Sequence, residues 1–216
     1  GAYSDPGCHD YFNDCIFDMS CMAAIVAGNS DMTFNDCTAE CGSYFALTHC
    51  VNGWQEEVAD ITVTGGDIHT KKECVLVKSH TMMLDLCDVN ISSDNGILVH
   101  TIVNDDPCAT KVTKDVFGVN VVMTDMDVKG DLLHEDTTRE MWVMLNSTQL
   151  TGAIQHANVA FDKGSKWVAT ADSDVVFVTD VEPAQIDAPA GVTITAKGAE
   201  AGEFALASGG KLVVTA

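Results

Sequence analysis

The chain carries one recurring eight-residue pattern: apolar, any, apolar, any, a small or acidic turn residue, apolar, any, apolar. The clear copies are MTFNDCTA (32–39), ITVTGGDI (61–68), LDLCDVNI (84–91), VVMTDMDV (121–128) and VMLNSTQL (143–150). Weaker copies are DYFNDCIF (10–17), VAFDKGSKW (159–167) and the partial VTIT (192–195). A self-similar pattern repeated at intervals of roughly 20–50 residues is typical of stacked repeat architectures.

Each copy predicts two short strands joined by a corner. Alternation of apolar and polar residues indicates a strand that is buried on one side only. Two outward residues in a row then mark a bend, where Asp, Gly and Ser tolerate unusual backbone angles or bond their own backbone. The predicted inward positions are Met32, Phe34, Cys37 and Ala39; Ile61, Val63, Gly66 and Ile68; Leu84, Leu86, Val89 and Ile91; Val121, Met123, Met126 and Val128; and Val143, Leu145, Thr148 and Leu150.

The spacing of the copies predicts an all-β parallel solenoid. From Phe12 to Phe161 the third apolar positions lie 22, 29, 23, 37, 22 and 16 residues apart, and a second apolar run follows each copy. A coil of about 22 residues with inserted loops fits these intervals. The parallel crossover rule favours a right-handed β-helix. We expect one domain over residues 1–216 with about seven to nine coils, of which 182–216 form shorter terminal coils; the alternative is an antiparallel β-sandwich.

Composition narrows the classes of partner. Eleven Lys and Arg against 32 Asp and Glu give a net charge of −21, which argues against binding to nucleic acid phosphates or to anionic lipid. No apolar run approaches the roughly 20 residues of a membrane helix, so no direct membrane insertion is expected. The segment GAYSDPG at the start lacks Met, which favours a mature form or fragment of an extracellular or cell-surface protein.

Two C-terminal stretches carry a family resemblance. FDKGSKWVATADSDVVFV (161–178) and GVTITAKGAEAGEFALASGGKLVVTA (191–216) resemble the adhesin-like, right-handed β-helix surface proteins of gut bacteria. The resemblance covers about residues 119–216, and the Cys-rich N-terminal half shares only the periodicity. It implies an exported, repetitive bacterial surface protein and no particular chemistry, and it supplies no catalytic residue.

Nine cysteines leave at least one unpaired within the chain. Cys15 and Cys37 fall in the same inward column of neighbouring coils, and strands about 4.8 Å apart lie within disulfide range. A stack of buried free thiols, acting as small apolar residues, is the interpretation that we favour over a disulfide.

A run of outward carboxylates near one corner is the strongest candidate site. Its members are Asp67, Asp85, Asp88, Asp125 and Asp127. Oxygen ligands in this number suit Ca²⁺, and paired carboxyls could serve glycoside cleavage. The simplest interpretation is that these Asp residues bond turn amides on a solvated face.

Three histidines, His100, His134 and His156, follow the second apolar runs of consecutive coils. Stacked imidazoles could bind Zn²⁺ or Cu²⁺, although strand-end residues facing water explain the positions more simply. Inserted loops at 48–60, which includes Trp54, and at 104–115 are the expected places for binding specificity.

These patterns favour a non-catalytic, adhesin-like module that presents a rigid face to a glycan or to a host or bacterial surface protein, without a cofactor other than the Ca²⁺ considered above. The alternatives are a carbohydrate-active β-helix enzyme, either lyase or hydrolase, and a purely structural stalk. A single arginine, Arg139, and the acidic charge count against a lyase that acts on acidic polysaccharides.

Overall fold

The computed structural model describes residues 1–49, 58–106, 118–136, 138–198 and 201–216. Within these ranges the chain is all-β, apart from one 3-10 turn at Pro183–Gln185. The strands are β1 (Ala2–Ser4), β2 (His9–Asn13), β3 (Ile16–Met19), β4 (Ala24–Ala27), β5 (Ser30–Asn35), β6 (Thr38–Cys41), β7 (Ala46–His49), β8 (Val58–Thr64), β9 (Asp67–Thr70), β10 (Val75–Lys78), β11 (Thr81–Cys87), β12 (Asn90–Ser93), β13 (Ile97–Ile102), β14 (Val119–Thr124), β15 (Asp127–Lys129), β16 (Asp131–His134), β17 (Met141–Asn146), β18 (Gln149–Thr151), β19 (Ile154–Phe161), β20 (Lys166–Val168), β21 (Ser173–Phe177), β22 (Ile186–Asp187), β23 (Thr193–Lys197), β24 (Gly202–Ala205) and β25 (Lys211–Thr215).

The strands stack in parallel on three faces, which gives a solenoid-like fold. The long-strand face joins β2, β5, β8, β11, β14, β17, the second half of β19, β21, β23 and β25. The short-strand face consists of two four-stranded sheets, β3–β6–β9–β12 and β15–β18–β20–β22. The return face joins β1, β4, β7, β10, β13, β16 and the first half of β19. The predicted parallel pairing is therefore confirmed.

The corners between the long and short strands have the conformation that the sequence predicts. Their residues take positive φ angles: Asp14 (52°), Asp36 (50°), Gly65 (65°), Asp88 (49°), Asp125 (54°) and Ser147 (48°). Asp and Gly are among the residues that adopt this left-handed region most readily. The corner amides from Asp14 to Asp125 also donate to carbonyls of the next turn, as Asp36 does to Thr64 at 2.8 Å and Asp125 to Asn146 at 3.0 Å, whereas the Ser147 amide donates to the Asp162 carboxylate at 3.0 Å. The bend thus continues the backbone hydrogen bonding of the sheets.

The core is a column of apolar side chains enclosed by the three faces. Nearly all of the predicted inward positions are buried; Gly66 is half-buried. Phe34 is fully buried and stacks on Phe12 at 5.1 Å between ring centroids, with Phe17 and Phe45 edge-on at 5.7 and 4.9 Å. Trp167 is also fully buried, and its indole N–H donates to the Gly152 carbonyl at 2.8 Å.

Two features differ from simple stacking of parallel turns. β19 serves two faces, because His156 (φ 57°) bends the strand between its pairing with β16 and its pairing with β17. In the segment 182–216, β23 and β25 continue the parallel stack, while β24 pairs antiparallel with β25. The alternating pattern of the sequence did not predict the direction of β24, since a strand shows the same alternation whichever way it runs.

Candidate functional site

The outer surface of the long-strand face is the most regular surface of the molecule. Its residues form straight rows, because each long strand from β2 to β17 is paired with the next long strand without a register shift. One row contains His9, Asp31, Asp60, Met83, Asn120, Trp142 and Asn158; the row beside it contains Tyr11, Thr33, Thr62, Asp85, Val122, Met144 and Ala160. The long strands of this face, from β2 to β19, contain no Lys or Arg, so their outer surface carries acidic side chains without basic ones.

An exposed indole lies in the C-terminal half of the long-strand face. Trp142 is 38% exposed, and its neighbours on the adjacent strands are Asn120 and Asn158. Met144, two residues along β17, is 46% exposed. The Asn158 side chain donates to the Glu140 carboxylate at 3.4 Å. A ring flanked by planar amides offers a stacking surface together with hydrogen-bond donors and acceptors.

A group of carboxyls lies in the N-terminal half of the same face. Asp31 and Asp60 are paired across adjacent strands, and the His9 imidazole contacts the Asp31 carboxylate. Both carboxyls line a shallow cleft of about 210 Å³. Partial burial raises the pKa of the Asp60 carboxyl, and the charges of Asp85 and Asp31 raise it further. Asp60 therefore holds a proton more readily than an isolated Asp would.

The five carboxylates of the predicted acidic corner are all exposed, but they are divided among two corners, two short strands and one long strand. Asp88 and Asp125 occupy successive corners, and the Asp88 amide donates to Thr124 at 3.1 Å. Asp67 is on a short strand, where its carboxylate accepts a 2.8 Å hydrogen bond from Asn90. Asp127 is also on the short-strand face, opposite Gln149. Asp85 is in the middle of the long-strand face, between Thr62 and Val122. Among the described residues, no three His, Cys, Asp or Glu side chains form a group that could hold a metal ion.

The three histidines are not brought into one column. His100 is opposite Leu133, and it is Thr101 that pairs with His134. The His100 imidazole contacts Glu73 at 3.1 Å and Glu135 at 3.4 Å, whereas His156 is exposed and 3.8 Å from Asp174. Because neighbouring positions on a strand point to opposite sides, His100 and His134 cannot form a shared ladder.

A buried polar cluster that the sequence did not indicate surrounds His134. Asp136 and Arg139 form an ion pair at 3.3 Å with almost no exposure of either side chain. One imidazole nitrogen of His134 contacts the Arg139 carbonyl at 2.9 Å and the other contacts Thr101. Burial lowers the pKa of His134 despite the hydrogen bond with the Arg139 carbonyl. These contacts fix the turn between β16 and β17, so the single arginine of the chain has a structural role.

Most of the two predicted specificity loops, including Trp54, falls outside the described residues. At their edges, the Lys78 ammonium bridges the carboxylates of Asp105 and Asp106, each at 3.1 Å. This pairing ties the end of β10 to the chain that follows β13.

Comparisons with known proteins returned no match: no protein family, no curated protein and no solved structure is detectably similar to this chain. Among the described residues, no helix has the length and apolar character required to cross a bilayer. The candidate site is chosen on geometry alone. It is the long-strand face, with the exposed Trp142 at one end and the carboxyls of Asp31 and Asp60 at the other.

Proposed function

We propose that this chain is a non-catalytic, adhesin-like binding module of an exported bacterial surface protein, and that its long-strand face binds a neutral glycan. The architecture we propose is a right-handed parallel β-helix of seven to nine coils. The crossover rule for parallel strands supports this handedness. A complete coil contributes one strand to each face, and among the described residues the short-strand face has eight strands and the return face seven, beside ten on the long-strand face.

The observation that carries the proposal is the exposed Trp142 between Asn120 and Asn158. Binding surfaces are enriched in Trp, and the exposed part of the indole offers free ring surface to a ligand. Asparagine amides can donate to and accept from sugar hydroxyls. Because the three strands are paired in register, the backbone holds Trp142 and the two asparagines in place, so little conformational entropy is lost when a ligand binds.

Charge narrows the ligand class. Asp31, Asp60 and Asp85 project from the same face, and the long strands from β2 to β19 contribute no cation. Uronate-containing or sulfated glycans would therefore be repelled. A neutral glycan, or a surface protein that presents one, fits this surface better.

The binding test is a glycan array probed with the wild-type chain and with Trp142→Ala. Loss of a central Trp contact costs about 2 kcal/mol or more, which corresponds to about 30-fold in affinity. The matched control is Val168→Ala, since Val168 is similarly exposed (37%) but is on the short-strand face. Equal binding by Trp142→Ala and the wild type would refute the proposed site.

The second candidate function is glycoside hydrolysis, which the Asp31 and Asp60 pair favours. Hydrolysis requires one carboxyl that holds a proton beside one that is ionised, and burial together with the charges of Asp85 and Asp31 shifts the pKa of Asp60 upward, in the direction of the first condition. Release of reducing ends from the arrayed polysaccharides, abolished by Asp60→Asn, would establish an enzyme. Binding without release supports the module, and the absence of both supports a structural stalk.

A further inference from the structure

We propose that Cys15 and Cys37 are a reactive thiol pair that low-molecular-weight disulfides oxidise to a cross-turn disulfide. This modification site is independent of the glycan-binding proposal, because both cysteines follow the corner residues and lie away from the outer rows of the long-strand face.

The two cysteines occupy equivalent positions in successive turns. The register pairs Asn13 with Asn35 before the corner and Ile16 with Thr38 after it, which leaves Cys15 stacked on Cys37. The two corner residues between these pairs, Asp14 and Asp36, have nearly identical φ angles of 52° and 50°. Strands in such a stack are about 4.8 Å apart, which is within the Cα separation that a disulfide spans.

The side chains repeat this equivalence. The Cys15 thiol donates to the Asn13 carbonyl at 3.3 Å, and the Cys37 thiol donates to the Asn35 carbonyl at 3.4 Å. Burial raises the pKa of the Cys37 thiol most, and the neighbouring Cys15 side chain raises it further. On its other side, Cys37 is stacked over Gly66, so no side chain at that position of the next turn crowds the Cys37 thiol.

Exposure sets the order of the reaction. Cys15 is half-buried and reachable from solvent, whereas Cys37 is 1% exposed and burial raises the pKa of its thiol. The Cys15 thiolate therefore attacks the external disulfide first and releases one thiol. Cys37 then loses its proton and attacks the Cys15 sulfur, which releases the second thiol. The protein loses two protons and two electrons, and the external disulfide gains them and is reduced to two thiols.

Two other described cysteines, Cys41 and Cys87, lack such a partner in register. Cys41 is stacked between Met19 and Thr70, and Cys87 is stacked between Thr64 and Thr124. Cys87 is half-buried like Cys15, so Cys87→Ser is a matched control for accessibility without a stacked partner.

The test is oxidation of the folded, reduced chain with oxidised glutathione, followed by alkylation, proteolysis and mass spectrometry without reductant. We expect a cross-linked peptide pair containing Cys15 and Cys37 in the wild type and in Cys87→Ser. In Cys37→Ser, the reaction should stop at a glutathione adduct on Cys15. Oxidation should raise the Tm of the wild type and not that of Cys37→Ser, because only the wild type gains a covalent link between turns.

Three results would overturn the proposal. The first is that Cys15 and Cys37 both remain open to alkylation after oxidation. The second is that Cys15 is linked to a cysteine other than Cys37. The third is a wild-type chain in which Cys15 accumulates as a glutathione adduct without progressing to the cross-link.

Discussion

Replacing Phe34 by alanine tests the inward and outward assignment on which the fold depends. Phe34 is fully buried, and its ring contacts the rings of Phe12, Phe17 and Phe45. Truncation of a buried Phe to Ala costs about 3–5 kcal/mol. Each aromatic pair contributes about 0.5–1.5 kcal/mol beyond burial, so a loss near the upper end of that range is expected. This is a large fraction of the roughly 5–15 kcal/mol by which domains are stable.

The assay is urea unfolding of Phe34→Ala beside Tyr11→Ala. Tyr11 is on β2, next to Phe12, but points outward and is 66% exposed. Its truncation should change the free energy of unfolding by no more than about 0.5 kcal/mol. A loss below about 1 kcal/mol for Phe34→Ala, or equal losses for the two variants, would refute the assignment of the long strands.

The position of the destabilised strands in Phe34→Ala provides a second measurement, by amide hydrogen exchange. Turns of a solenoid contact only their neighbours, so Phe34→Ala should accelerate amide hydrogen exchange in β2, β5 and β8. Exchange in β23 and β25, at the far end of the stack, should remain at the wild-type rate. Uniform acceleration along the whole chain would mean that the turns do not stack independently.

Three further perturbations test the corner and the acidic face. Gly66→Ala should lower the urea midpoint of unfolding well beyond Gly96→Ala. Both glycines have positive φ, so either substitution carries a strain cost of about 1–3 kcal/mol. Only at Gly66 does the added Cβ also clash with the Cys37 carbonyl oxygen. Asp60→Asn should stabilise the chain near neutral pH relative to Asp127→Asn. A carboxyl whose pKa is raised in the folded state stabilises the fold below its unfolded pKa and loses that contribution as pH rises through the folded pKa. A lower stability of Asp60→Asn near neutral pH, measured in a pH series of melting curves, contradicts this. Ca²⁺ bound at the acidic corner would raise the Tm, and an unchanged Tm at millimolar Ca²⁺ would exclude it.

The stacking register could be predicted from the sequence because insertions interrupt the repeat without shifting its phase. The intervals of 22, 29, 23, 37, 22 and 16 residues that separate the predicted equivalent positions are the intervals at which the structure pairs them, from Phe12 with Phe34 to Leu145 with Phe161. Apolar alternation is a strong constraint, since a slip of one residue would turn a whole strand inside out.

The histidine positions could not be predicted in the same way. Pairing of β13 with β16 skips one residue between Ile97 and Val99. This irregularity moves His100 to the side opposite the buried His134, and nothing in the residue pattern marks it. Because a bulge changes the side on which every later residue lies, an alignment of second apolar runs cannot establish a column on the return face.

The position of Trp142 between two asparagines, by contrast, could have been found from an alignment of the long strands. Positions 120, 142 and 158 follow the 22- and 16-residue intervals that align the apolar columns, so the pattern already places Trp142 between two asparagines. Elsewhere, neighbouring outward residues support one another, as Asn13 does with Asn35 through a 2.8 Å side-chain hydrogen bond. Over a third of Trp142 faces solvent and is open to a ligand. If the indole serves binding, its truncation should lower glycan affinity while the Tm stays near the wild-type value, and a large fall in Tm would mean that the indole serves the fold instead.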